Sequence, residues 1–133
     1  MSAVEAVPID TMDDLAPLRH RVRRLARDCE PDSAADAVLV ADTIAAATKQ
    51  RSLTATVIDL HVNATRTVLH IAAAMYNVHQ LPMGRGSRVL LDCTCLAWGV
   101  TEPIDGVQIT WADIRLLRPP PSALVGPAMR ARG

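Results

Sequence analysis

The stretch LTATVIDLHVNATRTVLHIAAA, residues 53–74, decides the fold. Its content of Thr, Val and Ile, and its alternation of side-chain character, predict two strands, Leu53 to Val62 and Thr67 to Ala74. Asn63-Ala64-Thr65 supplies the turn between them.

Working outward toward the N-terminus, Ala3 to Ile9 reads as a short extended segment, and Pro8 marks it as an edge strand or a strand end. Thr11 to Asp14 offers helix-start chemistry. Leu15, Leu18, Val22, Leu25 and Cys29 then recur at three- and four-residue spacing, which places one apolar stripe on a helix. Pro17 is tolerated there only because it falls in the first turn, where backbone N–H groups lack partners anyway. Glu30-Pro31-Asp32 breaks this helix. Ser33 is expected to cap a second one that runs to about Gln50, and the near-continuous apolar character from Ala34 to Ala47 predicts burial on most sides.

Toward the C-terminus, a short irregular stretch from Met75 to Met83 leads to Gly84-Arg85-Gly86. A third helix follows, with Val89, Leu90, Cys93, Leu96 and Ala97 on its inner face. Trp98 to Thr101 and Val107 to Asp113 form a last hairpin, closed by Asp105-Gly106, a dipeptide suited to the positive φ angles of a tight turn. From Arg118 the chain turns to Pro, Ala and Arg, so residues 1–117 are read as a single domain and 118–133 as a flexible tail. The order strand, helix, helix, strand, strand, helix, strand, strand predicts an α/β (α+β) two-layer sandwich. It is expected to be a mixed, mostly antiparallel sheet covered on one face by about three helices.

Composition narrows the function classes. Charged residues make up 21% of the chain and the net charge is zero, so it lacks the basic excess that counterion release from nucleic acid requires. No run approaches the roughly 18 apolar residues of a membrane span, and Met1 to Thr11 carries acidic Glu5 and Asp10 without the features of a signal peptide. The expectation is a cytoplasmic protein that binds neither nucleic acid nor membrane. There is no phenylalanine, so the core must be built from Leu, Val, Ile and Ala. Lys49 is the only lysine, and an arginine- and alanine-rich chain of this kind suggests a GC-rich bacterial genome.

The element order and two stretches resemble a known superfamily. Asp36 to Ala47 is similar to the second helix, and Gly84 to Val100 followed by Asp105 to Trp111 is similar to the second glycine box, following helix and closing hairpin, of the GHKL (gyrase, heat-shock chaperone, histidine kinase) ATPases. The nearest likeness is to the bacterial anti-sigma-factor serine kinases. The resemblance implies the Bergerat-type ATPase fold with a nucleotide pocket at Thr43, Ala47, Asn77, Gly84, Arg85 and Gly86. It also implies that the pocket is vestigial. The family places a glutamate and, one turn later, a magnesium-binding asparagine on the second helix, whereas this chain has Thr43 and Ala47. A methyl group cannot ligate a hard cation that wants oxygen.

The family's adenine-binding aspartate and glycines are likewise replaced, by the Ala73 to Val78 stretch, and the lid between Met75 and Gly84 is short. Tyr76, Asn77 and His79 stand where the family has its nucleotide and are expected to plug the pocket. Gly84 and Gly86 are retained ahead of a helix whose first N–H groups attract anions, although a tight strand-to-helix turn needs the same glycines.

Other constellations are weaker. Cys93 and Cys95 are two apart on a helix and point about 200° from each other, so they do not chelate one ion easily with Cys29 or with His20, His61, His70 and His79. A buried Cys93 and a more exposed Cys95 are expected. His61 and His70 fall on the two central strands without a positioned nucleophile. Arg19, Arg21, Arg23, Arg24 and Arg27 form a basic helix face, read as a solvated face with docking to an acidic protein surface as the functional alternative.

The expectation is a non-catalytic regulatory or interaction protein in bacterial signalling or transcription control. It would take a protein partner, sigma-factor-like or another signalling protein, or a second copy of itself, and need no cofactor. The alternatives are an active anti-sigma-type kinase using ATP and Mg2+ through atypical ligands such as Thr43 or Asn77, and a small-ligand or metal-binding module that reuses the cavity between helices and sheet.

Overall fold

The structure is a computed structural model and describes residues 4–51, 55–76, 83–102 and 104–119. Strands β1 (Val4–Ile9), β2 (Thr56–Val62), β3 (Val68–Tyr76), β4 (Ala97–Val100) and β5 (Val107–Arg115) form one sheet in the order β1-β2-β3-β5-β4. Each neighbouring pair is antiparallel, so the sheet is not mixed: every pairing among the described residues runs the same way. Helices α1 (Leu15–Leu25), α2 (Pro31–Arg51) and α3 (Arg85–Thr94) form the second layer. Helix α2 crosses β2, β3 and β5, with α1 and α3 packed against it. This is the two-layer α+β sandwich expected from the element order.

The alternation of residues 56–76 has a direct structural outcome. Ile58, Leu60 and Val62 of β2, and Leu69, Ile71, Ala73 and Met75 of β3, are buried under the helices, while the intervening residues face the other way. The connecting turn is built by Asn63, whose side-chain oxygen accepts from the backbone N–H groups of Thr67 (2.8 Å) and Val68 (3.0 Å). The left-handed residue of this turn is Arg66, at φ 58°, one position past the predicted triplet. At the second hairpin Asp105 (φ 53°) and Gly106 (φ 77°) take the two positive φ angles expected of them.

Three helical details differ from the sequence reading. Helix α1 stops at Leu25, and Cys29 lies beyond it, half-buried against the core. Helix α2 begins at Pro31, because proline suits the first helical position, and the Glu30 carbonyl accepts from the Ala34 N–H (3.0 Å). The helix is also less enclosed than expected: Ala37, Val40, Ala41, Ile44 and Ala45 are buried, but Leu39 remains 46% exposed, since a single helical layer leaves its back to solvent. In α3 the fully buried anchor is Leu91, whereas Val89 is 51% exposed. The run Val89-Leu90-Leu91 allows the stripe to be drawn two residues off.

Ser33 is not the cap. It is buried, and its hydroxyl donates to the Arg115 carbonyl (3.0 Å) while accepting from the Leu117 N–H (2.9 Å). The first turn of α2 is thereby tied to the end of β5. The Glu30 N–H reinforces the tie by donating to the Leu117 carbonyl (2.7 Å). Removing the hydroxyl leaves two backbone groups without this partner, so Ser33→Ala should lower stability by about 1–3 kcal/mol in a urea titration. The predicted tail beyond Pro119, the lid residues 77–82 and the first two residues of the predicted strand, 53–54, lie outside the described residues.

Candidate functional site

Thr43 and Ala47 stand one turn apart on α2 and share a flank. Asp42 marks the side of α2 that meets α1, because its carboxylate accepts from Nε of Arg19 at 2.8 and 3.0 Å. At about 100° per residue, Thr43 and Ala47 are turned roughly 100° and 140° away from that side. The Thr43 hydroxyl donates to the Leu39 carbonyl one turn back (2.8 Å), and Ala47 is buried.

The other described members of the expected pocket, Gly84, Arg85 and Gly86, open α3. Gly84 is the cap position at φ −59° and ψ 151°, and an added Cβ at Gly84 or Gly86 would meet no atom within 4 Å. The structural need for these glycines in a tight turn is therefore not found. Arg85 is exposed and makes no ion pair among the described residues. No hydrogen bond joins the two sets among those residues. Asn77 and His79 lie outside the described residues. Tyr76 does not plug the interlayer space: Met75 is the buried residue there, and alternation turns Tyr76, 47% exposed, to the opposite face of the sheet.

Polar groups that the sequence reading missed lie between the layers. The hydroxyls of Thr48, Thr56 and Thr110 are buried and find no hydrogen-bond partner among the described residues. Thr56 and Thr110 occupy inward-facing strand positions, and their parity relative to Ile58 and Ala112 was the available signal.

The arginine face is partly neutralised from within. Arg19 pairs with Asp42, and Arg21 and Arg24 both reach Glu5 on β1, at 2.9 and 2.8 Å. Arg23 and Arg27 are exposed and have no ion-pair partner among the described residues. Arg23 lines a groove of about 550 Å³ between α1 and α2, together with Ala34, Val38, Leu39 and Asp42. This hollow lies between two helices rather than between helices and sheet.

On the face of the sheet turned away from the helices, His70 stacks on Trp111, with ring centroids 6.0 Å apart, and bonds through Nδ1 to the Asp113 carboxylate (2.5 Å). His61 is directly opposite His70 in the strand register. No group of three His, Cys, Asp or Glu side chains among the described residues has the arrangement to hold a metal ion. The cysteines are placed in the reverse of the expected order: Cys93 is exposed, while Cys95, just past the helix end in extended conformation, packs against the core. Burial, followed by the Asp113 and Asp92 carboxylates, pushes the Cys95 thiol up to about 11, and burial likewise raises Cys29. Neither is suited to supply a thiolate nucleophile.

No helix among the described residues is long and apolar enough to cross a membrane. No protein-family model matches the chain, and no curated protein matches it.

Proposed function

We propose that this chain is a non-catalytic regulatory protein that acts through protein contacts in a bacterial signalling or transcription-control circuit, on a degenerate fold of the GHKL type. The observation that carries the proposal is the state of the α2 flank. At the two positions where the resemblance calls for a catalytic carboxylate and a magnesium ligand, the Thr43 hydroxyl donates to its own helix and Ala47 offers a buried methyl group. A cation such as Mg2+ needs oxygen ligands in near-octahedral geometry, and this flank contributes no carboxylate.

The test is thermal unfolding of the whole chain with and without Mg-ATP. A ligand held at 100 times its dissociation constant adds about 2.7 kcal/mol to stability, so binding would be plainly visible as a raised melting temperature. The expected result is no shift in millimolar Mg-ATP. A magnesium-dependent rise would instead overturn the proposal, since it would show that the pocket still binds the nucleotide.

A further inference from the structure

We infer that the face of the sheet left open by the described residues is the interface of a homodimer, closed against a second copy of this chain about a two-fold axis running along β3. The inference rests on the sheet alone and is independent of the state of the α2 flank.

An antiparallel sheet with one face in water normally carries polar side chains on that face. Here the strand register defines three rows across β2, β3 and β5: His61, His70, Asp113; then Asp59, Ala72, Trp111; then Val57, Ala74, Ile109. The third row is wholly apolar, with Val57 42% and Ile109 39% exposed, and the second is apolar on two of three strands. Contiguous exposed apolar surface of this kind marks an interaction site.

The sheet edges are poor alternatives for association. Strand β1 carries Pro8, which has no N–H to offer a new neighbour, and β4 has only four residues. The face is large enough. Five strands at about 4.8 Å and seven residues at about 3.3 Å give roughly 550 Å². Two such faces together reach about 1,100 Å², just above the roughly 1,000 Å² expected of a biological interface. The net charge of zero imposes no long-range repulsion between copies.

The register also chooses the partner and the axis. Two sheets packed face to face by a two-fold must have that axis in the interface plane, either across the strands or along them. An axis across the strands, through the middle row, sets Asp59 on its own copy and aims Asp113 at Ile109, which buries like charges together. An axis along β3 exchanges β2 with β5 within each row. His61 then meets Asp113 of the second copy, Val57 meets Ile109, and the small Ala72 and Ala74 meet themselves on the axis, where the sheets approach most closely. Asp59 then faces Trp111 and His70 faces its own copy, so this operation, unlike the other, sets no two carboxylates together and closes the apolar third row on itself.

Sedimentation equilibrium of the full chain should therefore show a dimer forming below several hundred micromolar, the weak association of an interface at the low end of the size range. Val57→Lys alone and Ile109→Glu alone should each weaken it at least tenfold. In the chain carrying both substitutions, each lysine faces a glutamate of the other copy, and dimerisation should return. Both positions are exposed, so far-UV circular dichroism should show an unchanged fold; if one variant failed to fold, the wild-type equilibrium and the other variant would still decide. A wild-type chain that stays monomeric at several hundred micromolar overturns the proposal, whatever else the face binds. So do single variants that dimerise as the wild type does, or a double variant no tighter than the singles.

Discussion

A chain carrying Thr56→Val and Thr110→Val should be more stable than the wild type by about 1–3 kcal/mol for each substitution. Both hydroxyls are fully buried and have no partner among the described residues. A buried donor that finds no acceptor has given up its water for nothing, and valine replaces it with a methyl group of the same shape. Strand propensity is not disturbed, since both residues are β-branched. The two sites are two strands and two residues apart by register, about 12 Å, so their effects should add. Urea unfolding measures the outcome through a raised midpoint at constant slope. A loss of stability would mean that these hydroxyls are bonded after all, and that a polar molecule occupies the space between the layers.

The opposite extreme is Ile71→Ala, which should cost about 3–5 kcal/mol. Ile71 is fully buried at the middle of the central strand, opposite Leu60 on one side and Ala112 on the other. The cost of such a truncation depends on whether neighbours can collapse into the space. Here Ala112 and the next inward residue, Ala73, have no side-chain reach to do so, and the chain has no phenylalanine to swing in. A domain of this size holds about 5–15 kcal/mol in total, so a large share is lost with one side chain. Equilibrium urea unfolding checks this prediction, and a loss below about 1 kcal/mol would show that the layers close over the gap.

What could be read from the sequence follows from which signals are local. The alternation between Leu53 and Ala74 marks both central strands, and Asp105-Gly106 marks the last hairpin, because those signals lie within a few residues of what they determine. Helical faces were less legible where apolar residues run together. Val89-Leu90-Leu91 fits more than one stripe, and only packing against α2 and β4 selects Leu91. The cysteine order failed for a related reason: the helix ends at Thr94, and the change to extended backbone turns Cys95 inward.

Of the candidate site, the flank of Thr43 and Ala47 was accessible because two residues one turn apart share a side of any helix. The His70 and Asp113 pair, 43 residues apart, was not, since it depends on the strand order β3-β5. Tyr76 was misplaced for want of a parity count from the buried Met75. Of the five arginines expected on one helix face, Arg27 lies past the end of α1, and Arg19, Arg21 and Arg24 are held by Asp42 and Glu5, a saturation that the charge pattern of one helix cannot show.

The Ser33 hydroxyl has a kinetic meaning as well. It joins residues 84 apart in the chain, and a closure of that span contributes only after the intervening sheet has brought its ends together. Bonds that form after the rate-limiting barrier govern the way out and leave the way in untouched. Refolding should proceed at the same speed with or without this hydroxyl, while the lifetime of the folded molecule shortens when it is gone. The seam where the second helix meets the end of the last strand is thus a brake on opening.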